Sequence, residues 1–158
     1  MPSMLFETDI VSLASDLVTD TTGTTTTLVA DMQGYDEIEF RIWHGDVDPA
    51  AVMVYTLYEN TANSTSGGTA VTLATAAGTG ASISSGTLTI TESSGNLDDK
   101  CIRVGASHLA LSKRYVYLTI TATVESYEVD KIECVRRKAR NLPITDSSDV
   151  AAVGYVGK

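Results

Sequence analysis

The chain is short of most of what catalysis and membrane insertion draw on. Its 158 residues include two histidines, two cysteines and three prolines, with aromatic residues limited to seven Tyr, two Phe and one Trp. Two cysteines do not make a disulfide framework. No apolar run approaches the length of a membrane-spanning helix, so no membrane partner is expected. Glu7, Asp9, Asp16 and Asp20 open the chain with no Lys or Arg before them, so the cationic start of a secretory signal is missing. Cations are scarce throughout: 11 Lys and Arg against 20 Asp and Glu leave a formal net charge of -9. General nucleic-acid binding needs cations to displace phosphate counterions, and that class is set aside. A charge of this size instead keeps copies of the chain apart until a partner fixes them.

What fills the sequence is Thr, Ser, Gly and Ala. Thr is β-branched, which suits a pleated surface and handicaps a helix. The length fits one domain with a real core. Ile38, Phe40 and Ile42 alternate with Glu37, Glu39 and Arg41, the period of a half-buried strand. Val116, Leu118, Ile120, Ala122 and Val124 alternate with Tyr115, Tyr117, Thr119, Thr121 and Thr123 in the clearest strand of all. Residues 51–58 are apolar on both faces, with Val52, Val54 and Tyr58 on one and Met53, Tyr55 and Leu57 on the other. Such a strand is covered twice, by the core and by something else.

Shorter strands are predicted at 10–13, 25–30, 70–74, 87–91 and 101–104. In 127–136 the parity slips, since Val129 faces one way and Ile132 and Cys134 the other; a bulge or a crossing between sheets explains this. Residues 106–111 allow one helical turn. Residues 20–27, 60–68 and 76–86 read as loops rich in small and polar side chains. The pattern predicts an all-β fold, an antiparallel β-sandwich or jelly roll with extended termini. It divides as an N-terminal extension at 1–9, a sandwich at 10–141 and a C-terminal arm at 142–158.

Residues with catalytic potential are few and isolated. His44 and His108 lack metal-site spacing and stand outside any nucleophile motif, so a surface position or a hydrogen-bonding role is expected of each. The glycines form neither a Walker loop nor a dinucleotide fingerprint. Asp46 and Asp48 precede Pro49 in a turn, without the further oxygen ligands of a Ca²⁺ loop. Cys101 and Cys134 fit buried free thiols in strands. Asn63-Ser64-Thr65 spells a glycosylation sequon, read as chance in a chain without an export signal. No enzyme activity, cofactor or bound metal is expected.

Three phrases stand out in order: Gly34-Tyr35-Asp36-Glu37-Ile38-Glu39-Phe40, then Arg103-Val104-Gly105 with Lys113-Arg114-Tyr115-Val116-Tyr117-Leu118 as a strand pair, then Arg137-Lys138-Ala139-Arg140-Asn141-Leu142-Pro143. Over roughly Ser12 to Ile144 this succession resembles a family of small all-β structural proteins encoded among the head genes of tailed bacteriophages, of decoration or cement type. The resemblance implies a virion structural role on the capsid surface, made in the bacterial host cytoplasm, with the major capsid protein as partner. Rival readings are a tail or head–tail connector protein and a glycan- or receptor-binding module. A homo-oligomer is expected, with a trimer preferred to a dimer because capsid lattices offer three-fold sites. Candidate interface residues are Trp43, outward by parity, the residues Met53, Tyr55 and Leu57 of the two-faced strand, Tyr115 and Tyr117, and the basic cluster Arg136, Arg137, Lys138 and Arg140.

Overall fold

In a computed structural model, the described residues are 8–14, 18–93, 95, 97–137 and 150–155. Among these described residues, thirteen strands form two sheets. In chain order they are β1 (Thr8–Ala14), β2 (Val18–Thr26), β3 (Ala30–Asp31), β4 (Glu37–Trp43), β5 (Val52–Asn60), β6 (Thr69–Ala70), β7 (Thr75–Gly78), β8 (Ala81–Ser84), β9 (Thr87–Thr91), β10 (Cys101–Ser107), β11 (Tyr115–Val129), β12 (Lys131–Arg137) and β13 (Val150–Tyr155). The first sheet runs β1-β12-β4-β10-β13-β7. The second runs β2-β11-β5-β9-β8, with β3 also on β11 and β6 on β5. A 3-10 turn, His108–Ala110, falls within the stretch read as one helical turn. Two packed sheets make a β-sandwich, the broader of the two architectures the sequence suggests.

Alternation decides what lies between the sheets. Ile38, Phe40 and Ile42 of β4 and Ile102 and Val104 of β10 face Met53, Tyr55 and Leu57 of β5 and Leu118 and Ile120 of β11, all buried in one cluster. The opposite parity of each strand points away from the core. The slip in 127–136 is a crossing between sheets: Val129 ends β11 in the second sheet, and Lys131 opens β12 in the first, one residue past Asp130. The period of β11 also breaks earlier than its sequence suggests. Its register against β2 shifts between Ala122 and Tyr127, and Glu125 has φ +59°. A bulge there turns Val124, expected inward, out to 49 % exposure and brings Tyr127 and Val129 in.

Three segments expected outside the sheets are strands. β2 covers most of the Thr-rich stretch 20–27, read largely as a loop, and pairs antiparallel with β11. β7 and β8, read as a glycine-rich loop, end the first and second sheets respectively, joined by Thr79-Gly80. They close one side of the sandwich. β13, expected within a C-terminal arm, sits inside the first sheet, parallel to β10 and antiparallel to β7. Backbone pairing builds these strands with little help from apolar periodicity, so the sequence pattern passes over them. The phrases at 103–105 and 113–118 are likewise not a strand pair; β10 and β11 belong to opposite sheets.

Candidate interaction surface

The strand rules place the candidate residues in three environments. Met53, Tyr55 and Leu57 are 0 % exposed and belong to the core of the single chain, so they form no interface. The two-faced strand is real, but the face left over is Val52, Val54 and Tyr58, each half-buried. We expect Leu57→Val to lower stability by about 1 kcal/mol, the scale of one buried methylene. Unfolding followed at two protein concentrations should give the same loss at both. A loss that changes with concentration would return Leu57 to an interface.

Tyr117 is also unavailable. Its ring stacks on Tyr58 with centroids 5.0 Å apart and planes 7° apart. Gly68 closes over its hydroxyl so tightly that an added Cβ would lie 2.3 Å away. Tyr115 remains half-buried, with the Arg114 guanidinium 5.0 Å above its ring. Trp43 is half-buried at the end of β4, its ring under the Lys131 ammonium at 5.2 Å. Lys138 and Arg140 lie outside the described residues.

Arg136 and Arg137 diverge because consecutive strand residues face opposite ways. Arg136 points toward one end of the sandwich, where Nη1 donates to the Asp31 carbonyl at 2.6 Å and the guanidinium covers Tyr35 at 4.5 Å. Arg137 points to the outer face of the first sheet and joins an ionic cluster around Glu39. There the Glu39 carboxylate, on a residue only 2 % exposed, takes Arg103 Nη2 at 2.6 Å, Arg41 Nε at 2.7 Å and Arg137 Nη2 at 3.6 Å. Burial opposes its charge, but hydrogen bonds from Arg103 and Arg41 and the nearby arginine charges outweigh that, holding the carboxyl below its ordinary range. The register explains the meeting. Val135 and Gly105 flank Glu39 on the neighbouring strands, and the arginines reach in from adjacent positions.

The end of the sandwich carries an open groove of about 400 Å³, with Met32, Gln33 and Tyr35 on one wall and residues 111–114 on the other. Glu59, buried on β5, fixes the second wall by accepting from the Ser112 and Lys113 amides at 2.6 and 3.0 Å and from the Ser112 hydroxyl at 2.5 Å. Arg114 pairs with Asp31 through two contacts, at 2.7 and 2.5 Å, and its hydrogen bond lowers the Asp31 carboxyl. Leu109, in the 3-10 turn before this wall, is 61 % exposed. Thus Tyr35 of the first phrase, Lys113 and Arg114 of the second and Arg136 beside the third converge on one end. Glu39, Arg103 and Arg137, from the same three phrases, lock together on one sheet. Sequence reasoning missed this convergence because it depends on the pairing order of β12, β4 and β10.

His44 is a core residue, 1 % exposed. Its Nδ1 lies 2.8 Å from the Glu128 carbonyl and must donate to it, so Nε2, 2.8 Å from the Tyr55 hydroxyl, accepts. Burial lowers its pKa from 6.5 to about 4, and the neutral ring is held by both nitrogens. His108 is described only in its backbone. Asp48 shapes the expected turn, accepting Ala51 N–H at its carbonyl while its carboxylate binds Ser126. Both cysteines are free and buried, and burial pushes the Cys101 thiol up to about 11. Among the described residues no three of His, Cys, Asp or Glu gather as metal ligands. What the surface offers is binding chemistry: cations, an aromatic ring and exposed leucine around a groove. Comparison of the chain with protein families, curated proteins and solved structures found no match.

Proposed function

We propose that the protein is a structural component of a tailed-phage virion, a decoration or cement protein that binds the major capsid shell. The observation that carries this reading is the meeting of Tyr35 of the first phrase, Lys113 and Arg114 of the second and Arg136, next to the third, at one end of the sandwich. Tyr35, Lys113, Arg114 and Arg136 there frame a groove beside exposed Leu109. A cationic rim around apolar walls suits an acidic segment of a neighbouring subunit. Binding restricted to the assembled shell stabilises that shell by mass action.

The test uses capsids assembled from the accompanying head genes with this gene deleted. Purified protein is expected to co-sediment with them at a fixed ratio and to raise their melting temperature. Lys113→Glu and Leu109→Glu should each weaken occupancy at least tenfold. Absence of co-sedimentation, or recovery of the protein only in tails at a few copies per particle, overturns the reading.

A further inference from the structure

On the outer face of the second sheet, two rows of side chains running across its main strands carry no charge. Register aligns Thr24 of β2, Thr121 of β11, Val54 of β5, Thr89 of β9 and Ser82 of β8 in one row. A second row places Thr26, Thr119 and Thr56 side by side. Neither row contains an ionisable group, in a chain with 31 Lys, Arg, Asp and Glu (11 and 20). The hydroxyls partly satisfy one another, as Thr24 and Thr121 do at 2.8 Å, and Val52 and Val54 present apolar surface at the centre. An ordinary surface mixes charges of both signs, whereas interface cores are depleted of them.

We propose that this face packs against the same face of a second copy of the chain, forming a two-fold dimer. The choice of occupant follows from charge. Two bodies of net charge -9 repel, so close approach is least opposed where neither presents charge to the other. An uncharged face also gives no steering toward a cationic or anionic partner. The Thr methyls and the central Val54 of one copy can seat between those of its mate at the roughly 10 Å spacing of stacked sheets. Five strands of about five residues span roughly 24 by 17 Å. Stacking two such patches hides roughly 800 Å² of flat face, which places the contact among small, weak interfaces that form at high concentration. A face that pairs with itself closes at two copies, which replaces the three-fold assembly expected from lattice geometry.

Sedimentation equilibrium or light scattering on the purified full chain tests this. The expected mass is twice 16.7 kDa. Val54→Lys and Thr121→Glu, on different strands, should each raise the dimer dissociation constant at least tenfold without lowering the melting temperature of the monomer. Ser66→Lys, on an exposed loop, should leave the dimer unchanged. Raising salt from 50 to 500 mM should tighten the dimer, because screening removes the long-range repulsion while the neutral contact persists. A wild-type monomer or trimer at high concentration overturns the proposal. So does a dimer that survives both charged variants, or one that weakens with salt.

Discussion

Glu39→Gln is expected to destabilise the protein by about 3 kcal/mol at neutral pH, one of the two largest effects anticipated here. The substitution keeps the shape of the side chain and removes a charge that offsets buried Arg103, whose Nη2 is 2.6 Å away. Removing one partner from a buried ion pair typically costs about 3–5 kcal/mol, since the survivor keeps its desolvation penalty and loses its compensation. The lower end applies because Arg41 and Arg137 are partly exposed and can turn toward water. Urea unfolding of both proteins measures the difference directly. The double variant Glu39→Leu/Arg103→Met should recover most of the loss, because a well-packed apolar pair needs no charge balance. A single-variant loss under 1 kcal/mol would mean that the cluster does not hold the first sheet together. Its meaning for the sequence pattern is direct: Glu39, Arg103 and Arg137, from three separate phrases, form one structural device.

A second large effect is expected on acidification. His44 titrates at about 4 in the folded protein against 6.5 when unfolded. Its folded value is depressed, so its contribution is complete above pH 6.5 and is lost as pH falls toward 4, where the unfolded chain gains a proton that the native core refuses. The gap amounts to about 3 kcal/mol. Glu39, also depressed, acts lower: its contribution is present above its ordinary value of 4.5 and disappears below that. The window from pH 6.5 to 4.5 therefore isolates the histidine. His44→Gln retains a donor and an acceptor for the Glu128 carbonyl and the Tyr55 hydroxyl but cannot titrate. Stability of the wild type should fall across that window by at least 2 kcal/mol more than that of the variant. Parallel pH profiles would show that the folded ring takes up a proton as readily as the unfolded one.

These two devices lie on opposite sides of the same sheet layer, and they differ in how far the sequence reveals them. The strands β4, β5, β9, β10 and the first half of β11 are legible because alternating side chains face either core or periphery, a period of two that any single segment displays. The free buried thiols and the Asp48 turn follow from local chemistry as well. The crossing after Val129 is also legible, since it appears as a broken parity. By contrast, β2, β7, β8 and β13 are held by backbone hydrogen bonds to strands distant in the chain, and Thr, Ala and Gly leave little periodic trace of that pairing.

The inward or outward sense of the two-faced strand was equally beyond the sequence. Met53, Tyr55 and Leu57 are no more apolar by type than Val52, Val54 and Tyr58 together, so only the packing of β5 against the first sheet makes one set core and the other surface. Sequence by itself determined that this chain is an acidic all-β protein with particular strands. Tertiary structure alone decided which residues meet: the arginines around Glu39, the groove between Tyr35 and Lys113, and the uncharged rows of the second sheet. The physical reason is that a strand fixes its own side-chain alternation locally, while its neighbours, and therefore every cross-strand contact, are chosen by the closure of the whole sandwich.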